Sequence, residues 1–137
     1  MTDYAGVTGG AAFGQPEWAL NGSVNYARGR YSVSVQARYI DSGIYDVRYI
    51  EPGQPGYSSA SPFSVNDNTV DSALYTTLSG RYELPQGNRN MNLELFATIN
   101  NALNEKPPLS PSGSYPFNTS FFDQIGRSFR VGLRGDF

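Results

Sequence analysis

The chain reads as an all-β protein, an antiparallel up-and-down meander of about five strands patterned like a stretch of transmembrane β-barrel. Three observations predict this. First, counting back from the carboxyl end, Phe137, Gly135, Leu133, Val131 and Phe129 alternate with Asp136, Arg134, Gly132, Arg130 and Ser128, which is the two-residue period of a strand. Second, the connections between alternating segments run short, long, shorter, long, so a meander gathers both long loops at one end and both short turns at the other. Third, Trp18 and Tyr26, Tyr31 and Tyr39, and Phe129 and Phe137 are each eight positions apart on one face, with small or aliphatic residues between them. Eight strand steps of about 3.3 Å, tilted by about 40°, cover roughly 20 Å of membrane normal, close to the apolar band between the aromatic girdles of a barrel.

The alternation alone fits an edge strand of a soluble β-sandwich equally well. Sorted loops and spaced aromatics are what favour the barrel, because a soluble meander has no reason to sort its connections.

Composition narrows the chemistry. The 137 residues suffice for one ordinary domain. Ten basic against twelve acidic residues give a net charge of −2, which offers no electrostatic case for nucleic acid. Cys and His are both absent. Disulfides, thiolate metal sites and the commonest general base and metal ligand are thereby removed. Carboxylates and Tyr remain as the groups capable of chemistry, and a non-enzymatic protein without cofactor is expected. The 10 Tyr, 8 Phe, 15 Gly and 9 Pro favour strands joined by turns. No stretch approaches the roughly 20 apolar residues of a membrane helix. Met1 is followed by nothing resembling a signal peptide, so for an exported protein the start of the gene product is expected to be missing.

In chain order, residues 1–16 read as a loop. A strand is expected over Glu17–Arg28, with Trp18, Leu20, Gly22, Val24 and Tyr26 on one face. Gly29-Arg30 makes a hairpin turn into Tyr31–Ile40, whose Tyr31, Val33, Val35, Ala37 and Tyr39 share a face. With that turn Tyr26 faces Val33, Val24 faces Val35 and Leu20 faces Tyr39. Asp41–Thr69 is a long Gly, Pro and Ser-rich loop. Val70–Tyr82 resumes the alternation, Leu84–Asn90 connects, and Met91–Asn101 follows with Leu93, Leu95, Ala97 and Ile99 opposed by Asn92, Glu94, Phe96 and Thr98. A second long loop, Ala102–Ile125, precedes the closing strand. Pairing Tyr82 with Met91 places Ser79 opposite Glu94, with Arg81 on the diagonal.

Read this far, the chain resembles the carboxyl-terminal part of TonB-dependent outer-membrane receptors. Ile99-Asn100-Asn101-Ala102-Leu103-Asn104-Glu105-Lys106-Pro107-Pro108 is similar to that family's penultimate strand, Asn-Asn-x-Leu and proline loop. Asp123, Gly126-Arg127 and the alternating strand ending in Phe137 are similar to its closing segment. Trp18–Tyr26 and Tyr31–Ile40 resemble its late hairpins less specifically. The resemblance covers about residues 14–137, so 17–137 is expected to be the carboxyl-terminal portion of the receptor barrel, a partial transmembrane β-barrel. It implies a 22-stranded barrel with a plug, in the outer membrane of a Gram-negative bacterium. The complete receptor would import a scarce ligand such as a siderophore, cobalamin or an oligosaccharide, driven by the TonB system. Plug and TonB box have no counterpart in these residues, and five strands leave open edges, so the chain is expected to be a fragment, a truncated product or one piece of an assembly.

The expected partners are outer-membrane lipid, the rest of the barrel and plug, the TonB system through the missing amino-terminal part, and the assembly machinery. Phe129, Val131, Leu133, Gly135 and Phe137 resemble the assembly signal. Trp18, Tyr26, Tyr31, Tyr39 and Tyr82 are expected in the aromatic girdles. Arg38, Arg81, Glu94, Arg130 and Arg134 fall on polar faces and read as a solvated or salt-bridged lumen wall. Loop aromatics Tyr45, Tyr49, Tyr57, Phe63, Tyr115, Phe117, Phe121 and Phe122 could grip a ligand or pack the loops upon themselves. Asp41, Asp46, Glu51, Asp67 and Asp71 have oxygen for calcium but no EF-hand spacing. The alternative function is a soluble β-sandwich carbohydrate-binding module using the same aromatics, and a small barrel built from several copies is the third option.

Overall fold

The computed structural model describes residues 4–9, 14–85, 92–109, 118 and 120–136. Seven strands form, and there is no helix among the described residues: β1 Ala19–Arg28, β2 Tyr31–Ile40, β3 Gly43–Ile44, β4 Thr69–Val70, β5 Ala73–Glu83, β6 Asn92–Asn100 and β7 Ser128–Asp136. Five of them make one sheet in the order β1-β2-β5-β6-β7, and β3 pairs with β4 in a separate ribbon. The expected all-β antiparallel meander is therefore present.

By its contacts the chain divides into two compact units. The first comprises Met1–Leu20, Tyr39–Ala73 and Lys106–Gln124, and the second Asn21–Arg38, Leu74–Glu105 and Ile125–Phe137. The second unit holds most of the large sheet. Its β1–β2 hairpin turns at Gly29, whose φ of +59° is what a tight primed hairpin turn requires and glycine supplies without a Cβ clash. Within the first unit, the Asp41 N–H donates to the Trp18 carbonyl at 3.0 Å, the pairing expected if Tyr26 faces Val33. On the other edge of β2, the Glu83 N–H donates to the Arg30 carbonyl at 2.7 Å.

The β5–β6 register departs from expectation. Tyr82 pairs with Leu95, Gly80 with Ala97, Ser79 with Thr98 and Glu83 with Glu94, and the Leu84 N–H continues the ladder to Leu93. Ser79 therefore faces a threonine rather than Glu94, and Arg81 faces Phe96. The shift is four residues, an even number, so every side chain keeps its face and the hydrophobic pattern cannot detect it. Met91, Gln86 and Gly87 lie outside the described residues. Across β6 and β7, Glu94 pairs with Arg134, Leu95 with Leu133, Ala97 with Val131 and Ile99 with Phe129.

Alternation gives this sheet an apolar face carrying Val24, Tyr26, Tyr31, Val33, Val35, Leu74, Leu78, Tyr82, Leu95, Phe129, Val131 and Leu133, and every one of these is exposed. Leu78, on a central strand, is 38% exposed and Val131, on the last, 72%. A soluble antiparallel sheet commonly buries one face; none of these apolar side chains is buried. On the opposite face, Gly132 lies beneath the Phe96 ring, because a Cβ there would come within 2.5 Å of Cζ and 2.8 Å of Cε1.

The buried apolar residues, Val7, Ile40, Tyr45, Val70, Ala73 and Phe122, all belong to the first unit. Two expectations change here. Within the expected 1–16 loop, residues 4–9 and 14–16 carry bridges Ala5 to Gln15 and Val7 to Ile44, with Val7 and Thr8 buried. The 41–69 loop contains the β3–β4 ribbon, with Gly43 paired to Val70 and Ile44 to Thr69. Val70 thus belongs to β4, and β5 starts only at Ala73. Gly43 is required by close approach, since a Cβ would meet the Gly6 carbonyl and, at 2.6 Å, Thr8 Oγ1.

The Asn-Asn-x-Leu stretch closes the end of β6. Asn101 (φ +49°) and Asn104 (φ +58°) both adopt left-handed backbone, which Asn tolerates better than most residues. Asn101, 3% exposed, donates from Nδ2 to the Glu105 carbonyl at 2.9 Å and accepts the Glu105 N–H on Oδ1 at 2.8 Å. Asn104 Oδ1 accepts the Arg127 N–H at 3.2 Å. Asn101→Ala will therefore lose about 1–3 kcal/mol, since it leaves two part-buried backbone groups of Glu105 unpaired at a strained φ. Asn101→Gly, which relieves the φ cost, will lose less. Urea titrations of the two variants give the comparison: equal losses would contradict the φ cost, and no loss in either would contradict the clamp.

Candidate functional site

The apolar face presents the expected girdle residues at its short-turn end. The Tyr26 and Tyr31 rings lie 6.4 Å apart at 41°, within the range for a favourable tilted pair, and Tyr82 is exposed like them. Trp18 lies just before β1 rather than in it, because the strand begins at Ala19; its ring is exposed. Tyr39 donates to Asp41 Oδ1 at 3.2 Å. Of the expected assembly-signal residues, Phe129, Val131, Leu133 and Gly135 line the apolar side of β7, which is an outer strand of the sheet, and Phe137 lies outside the described residues.

Recesses among the described residues line the polar face. At the turn end, about 470 Å³ is lined by Arg30, Glu83, Asn92, Glu94 and Arg134, a mixed-charge patch in which Glu94 faces Glu83 on one side and Arg134 on the other. Mid-sheet, about 390 Å³ is lined by Asn25, Ser32, Ser34, Gln36, Ser79 and Arg81. Beside it, about 470 Å³ is lined by Asn21, Ser23, Gln36, Arg38, Tyr75 and Thr77. Hydroxyls tie the strands of this face together: Ser79 Oγ lies 3.3 Å from Thr98 Oγ1 and Asn100 Nδ2 donates to Ser128 Oγ at 3.2 Å.

The loop aromatics sort into different environments. Tyr45 is 5% exposed and Phe122 is buried, so both pack the first unit rather than face outward. The Tyr45 hydroxyl donates to the Leu109 carbonyl. Tyr49 and Phe121 are half-buried, while Tyr57 and Phe63 are exposed. The Arg48 guanidinium sits 5.4 Å from the centre of the Phe63 ring, a cation–π distance. Tyr115 and Phe117 lie outside the described residues.

The loop carboxylates serve their own backbone. Asp46 accepts from the Arg48 N–H and side chain, with Oδ2 2.6 Å from Nη2, and this hydrogen bonding to Arg48 lowers its pKa. Asp67 accepts from Thr69 N and Oγ1 at 2.8 and 2.6 Å, which lowers its pKa too. Glu51 Oε1 takes the Asn68 N–H at 2.8 Å. Among the described residues no three such groups converge on a metal-sized site. Asn68 and Asn101 are organising residues that sequence reasoning passes over, because nothing in the pattern distinguishes a buried Asn from a loop Asn. Asn68 is buried; its Nδ2 donates to the Asp46 carbonyl and its Oδ1 accepts the Asp46 N–H.

Burial pushes the Tyr45 pKa above its ordinary value, with Asp67 and Asp71 adding to the rise. The unfolded chain's phenol ionises near pH 10 while folded Tyr45 holds its proton. This group's contribution is intact below pH 10 and is lost as pH rises from there through the folded pKa. Loop-unit stability will therefore fall more steeply above pH 10 in the wild type than in Tyr45→Phe, as read by urea midpoints from pH 8 to 11.5. Parallel curves would remove Tyr45 as the cause.

No protein-family model, curated protein or solved structure matches the chain.

Proposed function

We propose that the five-stranded sheet is a wall segment of an outer-membrane β-barrel of the TonB-dependent receptor kind. It contributes lipid-facing surface, lumen surface and external loops to a protein that imports a scarce ligand by energy coupling. The observation that carries this reading is the sheet whose apolar face is uncovered along its length while its other face is polar. Contiguous apolar patches of that extent mark a membrane or partner surface, and an apolar-out, polar-in alternation is the rule of membrane barrels. The exposed outer edges of β1 and β7 support the larger barrel, because unpaired backbone groups in hydrocarbon cost several kcal/mol each and further strands would satisfy them. The loop unit, with its own buried residues, fits an external loop cluster.

The test is fractionation of source-cell membranes with an antibody to 51–61, a stretch exposed along most of its length. A band in the outer membrane well above 15.0 kDa is the expected result. A soluble 15.0 kDa band would overturn the reading and favour a soluble binding module.

A further inference from the structure

Within the loop unit, Arg48 is a surface cation that has lost its freedom. Its side chain is 66% exposed, yet Nε and Nη2 donate to the Asp46 carboxylate at 2.9 and 2.6 Å, and its backbone N–H donates to Asp46 Oδ1 at 2.9 Å. Asp46 is anchored in turn, because its own N–H and carbonyl are both bonded to the buried Asn68 side chain. An exposed ion pair returns little stability for the rotamer freedom it removes. Stability alone is a weak reason for this clamp.

The clamp fixes the guanidinium over an aromatic ring. Arg48 Cζ lies 5.4 Å from the centre of Phe63, and with the cation in place Phe63 is still 43% exposed. The main chain of Phe63 is held as well: its carbonyl accepts the Ile50 N–H at 2.9 Å and its N–H donates to Ser61 Oγ at 3.3 Å. One residue on, Ser64 Oγ accepts the Ser58 N–H at 3.1 Å, which ties down the stretch that follows the exposed Tyr57. A ring and a polar edge ordered by the fold do not have to be ordered by a ligand.

The chemistry of the patch selects the ligand. Asp46 and Arg48 cancel each other's charge, so an anion or a cation gains little there. A neutral molecule with an apolar face and a rim of hydroxyls fits both halves. One face of a pyranose presents C–H groups to an aromatic ring, while its hydroxyls accept from a guanidinium and donate to a carboxylate. Asp46 occupies Nε and Nη2, and Arg48 Nη1 has no hydrogen-bond partner among the described residues.

We infer that the Asp46–Arg48–Phe63 patch is a stacking subsite for a neutral sugar ring, with Phe63 as the platform and the ion pair as the hydrogen-bonding edge. It rests on the barrel reading only for its role, which would be to select an oligosaccharide outside the cell; the binding itself does not depend on the barrel.

The test uses the full chain, nitrogen-15 labelled in zwitterionic detergent, titrated with maltotriose, cellotriose and triacetylchitotriose, and with citrate as an anionic counterpart. Saturable shifts centred on the amides of Arg48, Phe63 and Ser64 are expected with at least one trisaccharide, and its affinity will be the same at about 50 and about 500 mM sodium chloride. Phe63→Ala will weaken binding about 10-fold, and Arg48→Lys several-fold, because lysine lacks the planar fork that grips Asp46. Phe63→Tyr will keep the affinity, as will Leu20→Ala at an exposed apolar position of β1. Protection of the Ile44 amide, bonded to the Gly6 carbonyl, reports that the loop unit stays folded in each variant; should Phe63→Ala loosen it, Arg48→Lys carries the comparison. No shift with any trisaccharide, unchanged affinity in Phe63→Ala, or citrate binding more tightly than the sugars would each overturn the subsite. Fractionation reads the barrel separately: sugar binding by a soluble 15.0 kDa protein would keep the subsite and sink the barrel, and membrane insertion without sugar binding the reverse.

Discussion

In the proposed barrel, Leu78→Arg will block stable insertion into lipid, and Thr77→Arg, one residue away, will not. Leu78 lies at the middle of β5 on the apolar face, opposite Ile99, whereas Thr77 lies on the polar face opposite Asn100. Arg at the bilayer midplane on the lipid side of a barrel costs about 2–4 kcal/mol, and close to zero to 1 near the interfaces. That corresponds to a roughly 30- to 900-fold fall in the folded fraction for Leu78→Arg. Tyr82→Arg, four residues nearer the turn, will cost less. The measurement is urea-dependent folding into liposomes of the receptor proposed to contain this chain. A penalty that is the same at positions 78 and 82, or the same at 77 and 78, would contradict a lipid-facing wall. A soluble protein using this face for a partner would show no dependence on depth.

Tyr45→Ala will unfold the loop unit without touching any ligand. Removing a buried aromatic ring costs about 3–5 kcal/mol, and this ring sits so close to Gly9 that a Cβ there would collide with it. The hydroxyl's bond to the Leu109 carbonyl is lost as well. Amide exchange will accelerate at Thr8 and Ile44, whose N–H groups are held by the carbonyls of Ile44 and Gly6. Tyr57→Ala, at an exposed position, will leave those amides protected. In the proposed receptor, loss of uptake on changing Tyr45 is then a folding effect, whereas loss on changing Tyr57 with protection intact identifies ligand contact. Retained protection in Tyr45→Ala would show that the ring does not hold the unit together.

The site was only partly legible in the sequence. Arg38, Arg81, Arg130 and Arg134 were assigned to polar faces by parity alone. Parity could not say that Ser79 meets Thr98 instead of Glu94, because shifting β6 by four residues leaves every hydrophobic match intact and keeps Glu94 on the diagonal of Arg81. Likewise the loop aromatics form one class in sequence, and the structure separates Tyr45 and Phe122 in the interior from Tyr57 and Phe63 at the surface. That separation depends on contacts such as Tyr45 with Leu109, 64 positions away.

By itself the sequence determined the five long strands, their faces and their order. A two-residue period specifies which side each residue takes, and a two-residue Gly-Arg turn leaves the first hairpin one register. Tertiary structure alone decided the β5–β6 register, the β3–β4 ribbon, the incorporation of residues 4–9 into the loop unit and the seating of Arg48 over Phe63. These depend on loop length and on packing between distant segments, and neither leaves a period in the chain.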